Sequence, residues 1–228
     1  MESSEHWFAV HLGRSSSPPH AGFLKLTRAR DTNSRRIVEQ QVSIHGRLDK
    51  RAIDTEARCK LVLTRRQGRF VPLEVDFADG QITSQLRFAQ GRIQATGSAA
   101  GENGDAVSDD VMPTFGVFAL AAGIFNQPEA SVTFTPLTET TGRLGTAGSK
   151  LVCNGLTSET PFPSQTPLWE VVWFTPEGTR VQAFYFDNEG NLVQADWGGS
   201  RARRVATEAE AKPAPKPSRS GRQKKVAG

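Results

Sequence analysis

The stretch "VPLEVDFADGQITSQLRFAQGRIQATG", residues 71–97, decides the fold because its apolar and polar residues alternate. The apolar residues of its first run share one face of a strand: Val71, Leu73, Val75 and Phe77. Two dipeptides, Asp79-Gly80 and Gln90-Gly91, interrupt the alternation. Such pairs are typical of two-residue hairpin turns, in which both central residues need a positive φ. The stretch therefore predicts an antiparallel meander with one face toward a core and the other toward water.

Further strands are predicted on both sides of this meander. The upstream strands occupy 6–13, 21–30, 36–48 and 55–69, and their lysines and arginines alternate with apolar residues. This alternation is typical of a solvated outer face and is weaker support for a nucleic-acid surface. The downstream strands are 130–140, with Pro136 at an edge or bulge, Ser149–Cys153, and three runs between Leu168 and Trp197.

One segment has a different pattern. In "PTFGVFALAAGIFNQP", residues 113–128, apolar residues recur at helical spacing and cover nearly all sides. Thr114 can cap the start of a helix, and Pro128 can end it. A helix that is apolar all round is buried, so the segment predicts a core helix. A fully buried strand followed by a turn is the alternative.

The net charge of +4 is unevenly distributed along the 228 residues. Residues 201–228 hold nine basic and two acidic side chains, a net of +7, so residues 1–200 carry −3. We therefore expect a domain over 1–200 and a disordered basic tail over 201–228, since the tail composition cannot form a core. The tail contains no aromatic residue. Its expected partner is a non-specific anionic surface, either membrane head groups or nucleic acid.

Residues that carry chemistry are sparse and scattered, which argues against an enzyme. The four histidines, His6, His11, His20 and His45, lie in the first fifth of the chain, and no triad or nucleophile motif accompanies them. Because His6 and His11 are five apart, a strand would point them to opposite faces, which does not suit one metal ion. Two cysteines, Cys59 and Cys153, are expected to be buried free thiols; whether they pair stays open. The sequence thus predicts no catalytic residue, metal or cofactor.

The order of the segments resembles a known class of protein. It runs from "WFAVHLG" through "GFLKLTR" and the meander to "FGVFALAAGIFNQPEASVTF", and it closes on "WEVVWFTPEGTRVQAFYFDNEGNLVQADW". This order resembles bacterial envelope proteins of unassigned function, distantly similar to the lipoprotein-localisation factors. The resemblance implies an α+β fold dominated by β structure: a strongly curved antiparallel sheet, called a β-clam or half-barrel, with one or two short helices.

The resemblance also implies a location and a function. Its members belong to the periplasm or cell envelope, whereas "MESSEHWFAV" lacks the features of a signal peptide, so a true start at Met1 would imply the cytoplasm. The concave face would bind an apolar ligand such as a lipid or acyl chain, without catalysis. The candidate ligand contacts are Trp169, Trp173, Phe184, Phe186, Phe118 and Phe125.

Two alternatives to this function stay open from the sequence. Both faces of the last strands carry apolar residues, and they can simply pack against protein and leave no cavity. The chain can also be a structural or assembly protein that binds partners through a sheet edge or the basic tail. The identity of a ligand and the oligomeric state do not follow from the sequence.

Overall fold

The computed structural model describes residues 4–15, 17–28 and 34–214. Its N-terminal half is a meander in which each strand pairs antiparallel with the next. The strands of this half are β1 (Ser4–Leu12), β2 (His20–Arg28), β3 (Arg35–Leu48), β4 (Arg51–Arg66), β5 (Arg69–Asp79), β6 (Ile82–Ala89) and β7 (Arg92–Gly97).

The C-terminal half contributes a second set of strands to the same sheet. They are β8 (Val111–Pro113), β9 (Ser131–Leu137), β10 (Ser149–Thr157), β11 (Leu168–Phe174), β12 (Arg180–Phe186), β13 (Leu192–Trp197) and β14 (Ser200–Val205). Their neighbours pair antiparallel, except that β8 runs parallel to β9. The short helices are 3-10 turns at Ala100–Glu102 and Thr114–Gly116, α1 (Val117–Ala121) and α2 (Glu208–Ala211). The predicted fold class, a curved β-dominated sheet with short helices, is confirmed.

The two halves join through the first and last strands. The order of the fourteen-stranded sheet is β7-β6-β5-β4-β3-β2-β1-β14-β13-β12-β11-β10-β9-β8. β1 pairs with β14 from Trp7 opposite Val205 to Leu12 opposite Ser200. The prediction of a disordered tail from residue 201 is therefore wrong for its first part, because Ser200–Val205 lies in the middle of the sheet. The small residue Ala202 is fully buried there, and the arginines beside it hid the pattern. Within 206–214, Glu208–Ala211 forms α2, and 215–228 lies outside the described residues.

The loop after β7 covers the edge of that strand. The N–H of Ile93 donates to the carbonyl of Asp105 at 2.9 Å, and the N–H of Gly104 donates to the carbonyl of Ile93 at 2.7 Å. The chain then enters β8, which contacts β5 from the inner side. The polar loop predicted at 98–111 thus occupies hydrogen-bonding groups that an edge strand would otherwise leave free.

One continuous core fills the inner side of the curved sheet. It contains alternate residues of nearly every strand together with the helical segment. Its largest fully buried side chains include Phe8, Leu61, Leu86, Phe134, Leu151 and Phe186. Cys59 and Cys153 are free and buried in the same core. No helix among the described residues is long and apolar enough to cross a membrane.

The buried segment 113–128 differs from the prediction in its conformation. It is mostly buried up to Ile124, as expected, whereas 126–128 is exposed. Val111–Pro113 is a strand, the 3-10 turn follows, and α1 extends only from Val117 to Ala121. Thr114 does not cap a helix; its hydroxyl donates to the carboxylate of Glu139 at 2.7 Å. Gly116 and Gly123 in the segment and the confined space inside the sheet restrict regular helix to little more than one turn.

The hairpin turns follow the predicted dipeptides with one shift. Gln90 and Gly91 both have positive φ, 53° and 70°, between paired Ala89 and Arg92, as predicted. In the preceding turn Asp79 pairs with Ile82, so the central residues are Gly80 and Gln81. Gly80 has the expected positive φ of 42°, and the Asp79 carboxylate accepts the N–H of Ile82 at 2.9 Å.

The last strands carry apolar residues on both faces because both faces are covered. Their inner side chains belong to the main core, while a second cluster on the outer face comprises Leu168, Val172, Ala183 and Tyr185, with Phe174 and Val193 against it. Burial raises the pKa of Tyr185 to about 12, and its hydroxyl donates to Glu170 at 3.0 Å. Val181, at the start of β12, packs against the main core.

Candidate functional site

A cavity of about 340 Å³ lies between the two halves of the sheet. One wall is β2, β3 and β4, the other is β12, β13 and β14, and the 3-10 turn with α1 closes a side. Its lining residues are Leu24, Leu26, Gln40, Val42, Ile44, Ile53, Thr55, Thr114, Phe115, Phe118, Gln182, Phe184, Leu192, Ala195, Trp197 and Ser200. The volume lies at the lower end of the range for small-molecule sites, which are concave and mostly apolar.

Two hydrogen-bonded contacts hold the segment that closes the side of the cavity. The amide of Gln40 on β3 donates to the carbonyl of Phe115. The carboxylate of Glu139, just after β9, accepts the N–H of Phe115 at 2.6 Å and the hydroxyl of Thr114 at 2.7 Å. The segment is thus tied to both halves of the sheet, which fixes Phe115 and Phe118 against the cavity.

Glu139 is buried, and only 2% of its surface is exposed to solvent. Burial raises its pKa, because an ionised carboxylate loses its hydration inside the protein; the hydrogen bonds from Phe115 and Thr114 act in the opposite direction. Burial also raises the pKa of the nearby Cys59 thiol, and the charge of Glu139 adds to the effect. Cys59 is therefore a poor nucleophile, in line with the structural role expected for it.

Among the residues that the structure describes, none with an ionisable side chain lines the cavity. Its polar groups are amides and hydroxyls, from Gln40, Thr55, Thr114, Gln182 and Ser200, together with the indole of Trp197. Such a lining presents uncharged hydrogen-bond donors and acceptors. It can bury apolar surface and form neutral hydrogen bonds.

Three of the polar lining residues lie side by side at one end of the cavity. Gln182 is opposite Trp197 across β12 and β13, and Trp197 is opposite Ser200 across β13 and β14. Thr55 is exposed, and Gln182 and Trp197 are half-buried, so this end is the mouth. The neighbouring row, which contains Phe184 and Ala195, is buried and apolar.

A hairpin tip lies beside the mouth. The β3–β4 turn has Asp49 and Lys50 at positive φ, and the side chain of Leu48 reaches the β13–β14 turn so closely that a Cβ on Gly199 would meet it at 3.0 Å. The two turns therefore touch across the open side of the sheet. Ile53, four residues after Asp49 on the same hairpin, contributes an apolar side chain to the cavity lining.

The six aromatic residues predicted as ligand contacts all belong to the inner side of the sheet. Only Phe118 and Phe184 line the cavity. Trp173 and Phe186 are core residues, packed against Phe134 and Phe125 with ring centroids 5.4 Å and 5.6 Å apart. Trp169 is half-buried, and its indole N–H donates to Asn188 at 3.0 Å.

The sequence did not predict two parts of the cavity lining: the wall formed by β2, β3 and β4, and Trp197 on the other wall. The one available signal was a cluster of apolar residues on the inner face of long, otherwise charged strands, namely Leu24, Leu26, Val42 and Ile44. That signal could not show which strands face each other across the sheet. The pairing of β1 with β14, which sets this geometry, was hidden in the predicted tail.

The outer face carries two further features. A polar groove of about 710 Å³ crosses β2 to β7 and contains both signs of charge, including Lys25, Glu39, Arg58, Lys60 and Asp76. Separately, the rings of His11 and His20 stack with centroids 5.0 Å apart, and Phe162 contacts His11 edge-on. His6 and His11 are not brought together on this face, and the described residues contain no group of three or more side chains suited to a metal ion.

Comparisons with known proteins support the fold, but they do not assign the chain to a family. No protein-family model and no curated protein matches the chain. The chain is similar to a crystal structure from Brucella abortus described as a beta-barrel-like protein of domain of unknown function DUF1849. The TM-score is 0.55 at 10% sequence identity, and the match covers 88% of this chain and 94% of that one. This likeness shows a distant β-barrel-like architecture, in agreement with the curved sheet.

Proposed function

We propose that this protein is a non-catalytic binding or carrier module that takes an apolar ligand, such as a lipid or acyl chain, into the cavity between β2–β4 and β12–β14. The observation that carries the proposal is the cavity itself, which is lined by apolar side chains and lacks ionisable groups. Filling it would remove apolar surface from water at about 25 cal/mol per Å². The lining offers no group for acid–base work, which favours binding over catalysis.

The proposal includes the envelope location implied by the resemblance. A distant relation to the lipoprotein-localisation factors remains part of the same hypothesis, supported only by the curved sheet with an apolar inner face. Cell fractionation of the native organism tests the location, and recovery of the protein in the cytoplasm alone would contradict it.

The ligand hypothesis is tested by filling the cavity. Val42 lies on the inner face of β3 and lines the cavity, whereas Val132 is packed against the same core outside the cavity. We expect Val42→Phe to reduce the amount of lipid that copurifies, as measured by native mass spectrometry and organic extraction. The matched control Val132→Phe should retain it.

The outcome that contradicts the proposal is equally definite. Wild-type protein free of apolar ligand at stoichiometric sensitivity, and unable to take up an added acyl chain, would exclude a carrier role. If the Val42→Phe and wild-type proteins carry equal amounts of ligand, the ligand does not bind in this cavity. Thermal melts of both variants check that each is folded.

A further inference from the structure

We infer that the cavity selects an uncharged amphiphile, with an alcohol, ester or amide head group, over a carboxylate or amine of the same chain length. This inference rests on the proposed function, because it names the ligand class for the same cavity. The ligand's chain would lie against the buried apolar row, and its head group would lie at the mouth.

The first support is the absence of a counter-charge. None of the cavity-lining residues is an Asp, Glu, Lys, Arg or His. A charged head group drawn into such a site would lose hydration without gaining an ion pair, and this cost grows with the depth of burial. An uncharged head group loses much less and recovers it through ordinary hydrogen bonds.

The second support is a set of polar groups without partners at the mouth. Within the described residues, the side chains of Thr55, Gln182 and Ser200 and the indole N–H of Trp197 have no hydrogen-bond partner. Gln182, Trp197 and Ser200 lie side by side across β12, β13 and β14. Together they offer neutral donors and acceptors, as a hydroxyl, ester or amide requires.

The third support is a buried carboxyl group behind the cavity wall. Behind Thr114 and Phe115, which line the cavity, lies the buried carboxyl of Glu139, hydrogen-bonded to both residues. When ionised, it disfavours a second negative charge nearby in a medium of low dielectric constant. It does not contact a cationic head group in the cavity, because it is buried behind the wall and is not among the lining residues.

The test compares three ligands that share one chain: decanol, decanoate and decylamine, at neutral pH and below their aggregation limits. Isothermal titration calorimetry measures Kd, and tryptophan fluorescence, compared between wild type and Trp197→Phe, gives a readout at the mouth. We expect decanol to bind at least about tenfold more tightly than either ion, which corresponds to about 1.4 kcal/mol or more. If decanoate or decylamine binds as tightly as decanol, the inference is overturned while the proposed function stands. If none of the three binds, the proposed function fails and the inference fails with it.

A charge placed at the mouth provides the matched variant. Thr55 is exposed on β4 and lines the cavity, so a longer side chain can extend from it without disturbing the core. We expect Thr55→Lys to shift the ratio of decanoate to decanol affinity at least about fivefold toward decanoate, through a new ion pair. Thr55→Met adds similar length without charge and removes the same hydroxyl, so it should not shift this ratio toward decanoate. An equal effect of Lys and Met on decanoate would contradict the inference.

Discussion

The carboxylate of Glu139 accepts the backbone N–H of Phe115 at 2.6 Å, inside the protein and 24 positions away along the chain. The same carboxylate accepts the hydroxyl of Thr114, and the amide of Gln40 binds the carbonyl of Phe115 from the opposite half of the sheet. The position of Phe115, and with it the closed side of the cavity, therefore depends on one buried acidic residue and one amide.

Substitution of Glu139 should separate hydrogen bonding from charge. In Glu139→Gln the amide oxygen can still accept the N–H of Phe115, and the amide NH₂ can donate to Thr114, so we expect stability within about 1 kcal/mol of wild type. Glu139→Leu leaves the buried N–H of Phe115 without a partner and should cost about 1–3 kcal/mol. Denaturant unfolding measures both values, and a Leu variant as stable as the Gln variant would contradict the assigned role.

The charge of Glu139 should also appear in the pH dependence of stability. Its pKa is raised on folding, so the folded state holds the proton more tightly than the unfolded state. The free energy of unfolding should therefore fall as pH rises from the ordinary value of 4.5 through the folded pKa. Comparison of wild type with Glu139→Gln across this range isolates the effect, since Gln does not titrate. Parallel curves for the two proteins would show that the carboxyl does not have the raised pKa.

Protonation of His11 should destabilise the protein in mildly acidic solution. Burial lowers its pKa from 6.5, and the neighbouring His20 and Arg203 add to this, while the hydrogen bond to the Pro18 carbonyl opposes it. The unfolded chain then binds the proton more readily, so stability is present above about 6.5 and is lost as pH falls through the folded pKa.

The matched variant for this prediction is His11→Asn, whose amide can still donate to Pro18 at a similar position but does not titrate. Below pH 6.5 we expect the melting temperature of this variant to fall less steeply with decreasing pH than that of wild type. Some dependence should remain, because burial also lowers the pKa of His6. An unchanged slope would exclude His11 as a contributor.

Gly80 should be intolerant of a β-branched residue. Its φ is 42°, and no other atom lies within 4 Å of a Cβ built there, so the cost of substitution arises from backbone strain alone. We expect Gly80→Val to destabilise by about 1–3 kcal/mol. Gly101→Val is the control, since Gly101 has equally open surroundings without a positive φ. Equal melting temperatures for the Gly80 variant and wild type would contradict the turn geometry.

The position of β14 predicts where the chain can be shortened. A chain ending at Ser200 loses the strand that bridges β1 and β13, and it should fail to fold or aggregate through the two exposed strand edges. A chain ending at Ala214 retains every described element and should melt cooperatively. Circular dichroism and size-exclusion chromatography compare the two. A cooperative melt for the chain ending at Ser200 would show that β14 is dispensable.

The basic segment beyond Ala214 offers a separate test of the expected anionic partner. Residues 215–228 hold five basic and no acidic side chains. If this charge binds membrane head groups, the full chain should be retained on anionic vesicles at low salt and released at moderate salt. The chain ending at Ala214 serves as the control, and duplex DNA as the alternative target. Equal retention of both chains would eliminate the segment as the contact.

The sequence predicted the strands well wherever alternation was strong. In β5 to β7 the elements and inner side chains such as Val75, Leu86 and Ile93 followed from the alternation. The prediction was wrong for Leu73, which a register shift takes out of the core, and the first turn lies one residue later than predicted. It failed in β14, where the buried positions are Ser200 and Ala202 and the others are mostly arginine. Because the buried residues of β14 are small, they differ little in hydrophobicity from the residues between them. This central strand therefore has the same composition as a charged tail.

The candidate site was predicted less completely than the fold. Aromatic residues on the inner face were identified, but the large side chains of Trp173 and Phe186 fill the core and so remove space for a ligand. The cavity forms where smaller residues such as Val42 and Ala195 face each other across the sheet. Which residues face each other depends on long-range curvature, and one strand's alternation contains no information about it.

The pairing of β1 with β14 has a consequence for how the protein is made. Synthesis proceeds from the N-terminus, so β1 emerges first and its partner is the last strand of the sheet to leave the ribosome. The β1–β7 meander can form early through neighbouring contacts, yet one edge of β1, with Phe8 and Val10 beside it, stays uncovered until the rest has been translated. For most of translation the nascent chain therefore presents an open apolar strand edge, which is the kind of surface that holding chaperones bind.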